Sequence, residues 1–311
     1  MYIDTRCGRS QRGILSTPNR TGRSYLQKPF HAGSANPEAD EPDGQNKGYV
    51  LATGRSAVDR LRLLDQIFGP ASRQLLTRVG LSSARRIAEI GCGTGIMTMW
   101  MAEQAGAESS VWGVDNSEQQ LAVASAGAKA TGRQNLSFHA APTEDTRLPH
   151  GSFDLVYSRF LLCHLTNPVP ALEEMWSLLR TGGTLVCEDF EMSAVTTCPP
   201  TSAYQQLIEI SRAVDRQRGV DSDIGAKLHT LLAEAGCREP EVAVYQPAFL
   251  RGEPKGFWKV TLREAQPAII ESGIASAAQM DSLCNELERI AADDSVLLLI
   301  ARVYQVWCRK S

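Results

Sequence analysis

Three glycines at alternate positions constrain this 311-residue chain more than any other feature. The run Ile87-Ala88-Glu89-Ile90-Gly91-Cys92-Gly93-Thr94-Gly95 reads as a short apolar strand, a glycine-rich turn and a helix beginning near Gly95-Ile96. Glycines in such a turn adopt positive φ and let a ligand lie against the backbone. The spacing is G-x-G-x-G. A dinucleotide fingerprint needs G-x-G-x-x-G, with its pyrophosphate at the helix start, and Ile96 occupies that third slot. A nicotinamide-dependent oxidoreductase on the same kind of sheet is therefore disfavoured.

The turn gains meaning from Asp115, which closes the next apolar run, Val111-Trp112-Gly113-Val114-Asp115. A carboxylate at a strand end accepts hydrogen bonds from both hydroxyls of a ribose, and charge-assisted bonds of this kind contribute about 1.5–3 kcal/mol. Both features fall at the carboxyl ends of adjacent strands, where open α/β sheets bind ligands. Together they point to a nucleoside-containing ligand. The bland alternative is a tight strand-to-helix turn, with Asp115 only capping the helix that starts near Ser117.

The flanking sequence alternates short apolar runs with helical patterns. Strands are expected at Arg86–Ile90, Ser110–Asp115, Leu136–Ala140, Phe153–Ser158 and Thr184–Glu188, with helices at 95–105, 117–131 and 168–180 between them. Such alternation implies a parallel sheet with crossover helices on both faces. Upstream, residues 57–79 carry Leu61, Leu64, Ile67, Phe68, Leu75 and Leu76 at helical spacing, interrupted at Gly69-Pro70. Two helices ending before Leu81 are expected there. Downstream come helices at 202–218 and 224–235, strands at 240–249 and 296–308, and between those strands a long insertion with helical patterns at 255–272 and 276–292. Residues 1–48 mix arginines with an acidic, proline-containing stretch and have little to bury, so they read as a flexible tail ahead of one domain over 49–311.

Composition excludes several classes. Hydrophobic residues at 43% and charged ones at 22% suit a globular chain. A net charge of -3 gives no cationic field for nucleic acid. The apolar stretch Val296–Ala301 is far shorter than a bilayer span, so no transmembrane helix is expected. The eight cysteines form no CxxC pair and no zinc-type cluster. Free thiols, no metal and a cytoplasmic setting follow as expectations.

The run from Glu89 to Gly95, with Asp115 closing the next strand, resembles the S-adenosylmethionine site of class I methyltransferases. Leu148-Pro149-His150-Gly151-Ser152-Phe153-Asp154-Leu155-Val156 is similar to their fourth-strand signature, and Leu179-Arg180-Thr181-Gly182-Gly183-Thr184-Leu185 to the turn into their fifth strand. These marks cover about residues 85–190, and they resemble those of small-molecule enzymes related to ubiquinone and menaquinone biosynthesis. The resemblance implies a Rossmann-like, seven-stranded, mostly parallel α/β sheet with helices on both faces and a helical lid, drawn from 49–80, 191–220 and 250–293.

It also implies roles. Glu89 would orient the turn and meet the methionine amino group, while Gly91, Cys92, Gly93, Thr94 and Gly95 let the methionine part approach. Asp115 would hold the ribose and Asn116 would flank the adenine. The Gly-Asp pair that reads the adenine amine in many relatives is absent from Ala140-Ala141-Pro142-Thr143-Glu144-Asp145, leaving Glu144 or Asp145 to substitute. Arg159 would sit at the methyl end, with Tyr49 and Arg60 closing from the amino-terminal side.

Methyl transfer from a sulfonium needs alignment more than side-chain chemistry, because the leaving group departs neutral. A base is required only for a protonated acceptor, and His164, Glu188 and Asp189 are the candidates. Tyr204, Phe249, Phe257 and Trp258 are the lid's apolar contributors, which suggests a small organic acceptor and leaves room for a homodimer. A second reading keeps cofactor binding without methyl transfer, as a scaffold or a sulfonium-assisted catalyst.

Overall fold

The computed structural model describes Leu51 and residues 57–311. The expected tail, residues 1–48, and Tyr49 lie outside the described residues. The described residues form ten strands in chain order: β1 (Arg86–Ile90), β2 (Ser110–Asp115), β3 (Leu136–Ala140), β4 (Phe153–Arg159), β5 (Leu179–Glu191), β6 (Thr196–Cys198), β7 (Glu241–Tyr245), β8 (Ala248–Phe249), β9 (Leu297–Leu299) and β10 (Arg302–Arg309). Seven form one sheet in the order β3-β2-β1-β4-β5-β10-β7. The first five of that order are parallel, and β10 runs antiparallel to both its neighbours. Residues 87–90 of β1 are buried throughout, as expected of a central parallel strand covered on both faces.

Among the described residues eight α-helices accompany this sheet: α1 (Val58–Arg78), α2 (Ile96–Gln104), α3 (Glu118–Thr131), α4 (Val169–Leu178), α5 (Ser202–Arg218), α6 (Leu228–Glu234), α7 (Phe257–Glu271) and α8 (Ala277–Ala292). One apolar cluster joins α2 and the end of α1 to the sheet through Met97, Met101, Leu75 and Leu76. A second joins α4 and α6 through Leu172, Met175, Leu228 and Leu232. The third binds α1, α5, α7 and α8 to one another as a helical cap. Strand order reverses between β1 and β4, so the crevice at their carboxyl ends is where a ligand fits an open α/β sheet.

Three local expectations change. The break at Gly69-Pro70 does not split the first helix, and α1 continues through both residues. Leu63, Ile67 and Phe68 belong to the cap cluster while Leu75 and Leu76 belong to the sheet cluster, so burial on both sides outweighs the hydrogen bond that proline lacks. The expected strand at 240–249 divides into β7 and β8, and that at 296–308 into β9 and β10. The breaks are held by Ile300 N–H donating to the Pro247 carbonyl (3.0 Å) and by the Gln246 amide donating to the Ala194 and Ile300 carbonyls (2.8 Å each). A small second sheet, β6-β9-β8, results. The expected helix at 224–235 opens instead with a tighter turn, Ile224–Lys227, because Gly225 lies against β5 so closely that a Cβ would stand 2.6 Å from the Asp189 carbonyl.

The cysteine expectation is also corrected. Cys237 and Cys308 are joined in a disulfide that ties the segment after α6 to β10, so cysteine usage no longer argues for a reducing compartment. Cys92, Cys163, Cys187, Cys198 and Cys284 are free. No helix among the described residues is long and apolar enough to cross a membrane. The insertion is closed at its base by Lys255, 1% exposed, whose ammonium donates to the carbonyls of Leu250 (3.0 Å), Asp293 (2.6 Å) and Val296 (2.9 Å).

Candidate active site

A cavity of about 420 Å3 lies between the carboxyl edge of the sheet and the helical cap. Its floor is the turn after β1. Gly91, Gly93 and Gly95 adopt φ of 75°, 53° and 73°. A Cβ on Gly95 would stand 2.7 Å from the Phe138 ring, whereas one on Gly93 would meet no atom within 4 Å. Gly95 therefore lets α2 pack on the sheet, and Gly93 presents bare backbone to the cavity.

Asp115 completes the floor. Its Oδ2 accepts from Gly93 N–H (2.8 Å) and its Oδ1 from Ser117 N–H (2.9 Å), so two backbone bonds fix the carboxylate while each oxygen keeps acceptor capacity. Burial raises its pKa, opposed by those backbone donors. Gln120, on the first turn of α3, lines the same wall, and its buried side-chain oxygen has no partner among the described residues.

Glu89, at the end of β1, accepts a hydrogen bond from the Thr98 hydroxyl on α2. Burial pushes its carboxyl up to about 7, against the Thr98 bond and the charge of Arg159. Burial also raises the Cys92 thiol, reinforced by Asp115 and Glu89, so this cysteine stays protonated and is no nucleophile.

The opposite wall carries guanidinium groups. Arg159 donates to Ser72 (3.3 Å) and Asp65 (3.2 Å) on α1. Arg60 pairs with Glu264 at 2.6 Å, joining α1 to α7 across a nearly water-free contact. Phe160 follows Arg159 in the left-handed region, with φ of 54°, held there by its N–H donating to the Glu188 carbonyl (2.8 Å). That turn sets its ring between Phe68 (5.1 Å) and Phe190 (5.3 Å).

Residues 88–187 match a family described as "Methyltransferase domain". Over that stretch, from β1 into β5, the chain is similar to methyltransferases. The demethylmenaquinone methyltransferase of Geobacillus stearothermophilus is 28% identical over 135 residues, 43% of this chain and 55% of the relative. The tRNA U34 carboxymethyltransferase of Idiomarina loihiensis is 34% identical over 131 residues, 40% of this chain and 39% of the relative. The chain thus matches about half the length, or less, of these curated relatives. In fold it is similar to a Haemonchus contortus phosphoethanolamine N-methyltransferase 2, with a TM-score of 0.53 at 18% identity, covering 82% of this chain and 58% of that one.

Of the residues singled out from sequence, the cavity brings together Arg60, Glu89, Gly91, Cys92, Gly93, Thr94, Asp115, Asn116, Glu144, Arg159 and His164. It leaves out Gly95, which packs on Phe138, and Asp145, which is exposed on the surface. Glu188 and Asp189, expected as bases at a strand end, do not line it either. The reason is that β5 runs on to Glu191, so both acids lie inside the strand. Glu188 is 1% exposed and accepts from Tyr157 (2.8 Å), Gln305 (2.9 Å) and Ser72 (3.1 Å). Asp189 is raised to about 7 by burial and accepts from the Cys163 backbone at 3.2 Å.

Among the three candidate bases, His164 alone lines the cavity. Burial, then Arg218 and Arg60, hold its imidazole down to about 3 and hence neutral. Tyr204 and Phe249 stand away from the cavity, while Phe257 and Trp258 line it. Sequence reasoning missed Thr98, Gln120, Ser72 and Arg218. Arg218 reads as an ordinary cation in the last turn of α5, and only its tertiary position gives it a place in the wall.

Proposed function

We propose that this chain binds S-adenosylmethionine and transfers its methyl group to a small organic acceptor, leaving S-adenosylhomocysteine. The observation that carries this reading is the Asp115 carboxylate, fixed by two backbone N–H groups beside the open Gly93 backbone. The wall fits the cofactor in other respects too. Gln120 offers an unsatisfied acceptor beside Asp115, and Glu89 offers a carboxylate at the far end of the turn.

When bound, the cofactor supplies an electrophilic methyl carbon on a sulfonium. Asp115 would hold the ribose hydroxyls, with Asn116 and Glu144 along the adenine side. Glu89 would face the methionine amino group through Thr98-anchored geometry, and Arg159, set by Asp65 and Ser72, would face the methionine end. His164, held neutral in the wall, would offer the acceptor a hydrogen bond, since an imidazole held down to about 3 is too weak a base to take its proton. The cap excludes water through its apolar cluster, which makes each of these contacts stronger than in bulk solvent. Residues 49–311 act as one unit in this reading, with α1, α5, α7 and α8 as the acceptor-facing lid.

A small acceptor is supported by the ring-lined cavity and by the net charge of -3, which gives no overall cationic field for a tRNA-sized polyanion. The test is a thermal-shift series with S-adenosylmethionine, S-adenosylhomocysteine, sinefungin and NAD. A ligand at 100 times its dissociation constant stabilises by about 2.7 kcal/mol. The first three should raise Tm and NAD should not; a shift with NAD alone, or with none, overturns the reading.

A further inference from the structure

A row of polar residues runs across one face of the sheet. Glu89 on β1 pairs in register with Tyr157 on β4. Two positions on, Arg159 pairs with Glu188 on β5, and Glu188 pairs in turn with Gln305 on β10. Register partners, and residues two apart on a strand, point to the same face. Glu89 and Arg159 line the cavity, whereas Tyr157, Glu188 and Gln305 stand behind it. Helix α1 is fastened to this row, since the Gln305 amide also donates to the Ala71 carbonyl (3.3 Å) and Ser72 lies fully buried against Glu188.

Three donors converge on Glu188. The Tyr157 hydroxyl (2.8 Å) meets Oε1, and the Gln305 amide (2.9 Å) and the Ser72 hydroxyl (3.1 Å) meet Oε2. That pattern matches an ionised carboxylate, which only accepts. Burial raises its pKa, opposed by the Gln305 bond, the Arg159 charge and the bonds from Tyr157 and Ser72. Arg159 has no acceptor atom, so where its Nη1 meets Ser72 Oγ the hydroxyl accepts. The Ser72 proton then goes to Glu188 or to the Phe68 carbonyl (3.3 Å), and the charged acceptor makes the stronger bond. The acids acting on Arg159 are Asp65, Glu188 and Glu89. Of these, Asp65 is shared with Arg73 (2.6 Å) and Glu89 takes the Thr98 hydroxyl, while Glu188 reaches Arg159 through Ser72.

Resting on the cofactor reading, we infer that Glu188 and Ser72 are positioning residues, which hold the Arg159 guanidinium for the carboxylate of the cofactor's methionine part. Ser72 and Asp65 occupy two of the five N–H donors of Arg159, and the guanidinium borders the cavity. A carboxylate there meets a donor group whose direction is already set, so little side-chain freedom is lost on binding. The amino-acid part is a zwitterion. With its carboxylate on Arg159 and its ammonium on Glu89, it adds no net charge to the row. Glu188 thus acts from one hydroxyl behind the cavity and never meets the acceptor.

The probes are S-adenosylhomocysteine and 5′-methylthioadenosine, which keeps the adenosine and the thioether but lacks the amino-acid part, each titrated calorimetrically into the full chain. Ser72→Ala should weaken S-adenosylhomocysteine about five-fold and leave methylthioadenosine within about two-fold. Glu188→Met should do the same, and Glu188→Gln, which keeps an oxygen for the Ser72 proton, should restore most of the affinity. Arg159→Met should weaken S-adenosylhomocysteine at least as much as Ser72→Ala does. Adding Ser72→Ala to Arg159→Met should change the affinity by less than about two-fold, because Ser72 acts only through Arg159. Circular-dichroism melts identify the variants that fold, and Ser72→Ala decides the matter where Glu188→Met does not fold. Equal weakening of both probes in Ser72→Ala, an unchanged S-adenosylhomocysteine affinity, or a further loss on the Arg159→Met background overturns the inference and leaves the cofactor reading standing. A parent chain that binds neither probe overturns both.

Discussion

The sheet wall of the cavity carries carboxylates, and the cap wall carries guanidinium groups and aromatic rings. Glu89, Asp115 and Glu144 come from the ends of three neighbouring strands and the turns behind them, all within 56 positions of sequence. Arg60, Arg218, Phe257 and Trp258 come from α1, α5 and α7, spread over nearly 200 positions, and Arg159 joins them from the end of β4. A positively charged cofactor would find the opposite sign waiting on the carboxylate side. The difference teaches that a site can be half local and half tertiary.

The strongest way to break the contrast is to remove the pair that fastens the cap. Arg60→Met leaves Glu264 in a contact with side-chain exposure of only 15%. Breaking a buried pair in this way should cost about 3 kcal/mol in urea unfolding. The double variant Arg60→Met/Glu264→Met should recover most of that loss. Unchanged stability of the single variant would mean that the cap is held by its apolar cluster alone.

On the sheet wall, Asp115→Ala should weaken S-adenosylhomocysteine by about 1.5–3 kcal/mol, roughly ten- to hundred-fold, as read by calorimetry. The fold should survive, since the lost bonds come from backbone N–H groups at the cavity edge, Gly93 and Ser117 among them. An unchanged affinity would remove the ribose role from this wall.

The smallest effect sharpens the electrostatics. The Glu89 carboxyl is raised to about 7 by burial, so it is mostly protonated at pH 6 and mostly ionised at pH 8. Cationic S-adenosylmethionine should therefore bind up to about ten-fold tighter at pH 8 than at pH 6, and Glu89→Gln should flatten that slope. Without ligand the sign reverses. A raised acid favours the native state below its unfolded pKa of 4.5, and that contribution is lost as pH rises through 7. Asp189, also raised to about 7, adds to the same trend, so Glu89→Gln should remove only part of it.

The sheet and its turn are legible because their determinants are neighbours in sequence. Glycines at 91, 93 and 95 and a carboxylate at the end of β2 act through local φ and strand register. The register at β5 was harder, because three further residues of strand carry Glu188 and Asp189 from an expected end to an interior. The apolar gap between α5 and α7, lined by Leu207, Ile210, Leu262 and Ala265, could not be read at all. Its walls are single faces of α5 and α7, each amphipathic in the ordinary way, and no periodicity says that the two faces leave a gap. The same holds for the disulfide, which joins cysteines 71 positions apart.

The contact between Arg60 and Glu264 spans 204 positions, and this distance is also an interval of time. At roughly 5–20 residues per second of synthesis, α1 leaves the ribosome about 10–40 s before the helix it fastens. The sheet from β1 to β5 can assemble in that interval, but Leu63, Ile67 and Phe68 of α1 belong to the cap cluster, whose other members come later in the chain. The nascent protein thus carries an exposed apolar helix beside a nearly finished sheet, a surface suited to a chaperone until α7 and α8 cover it.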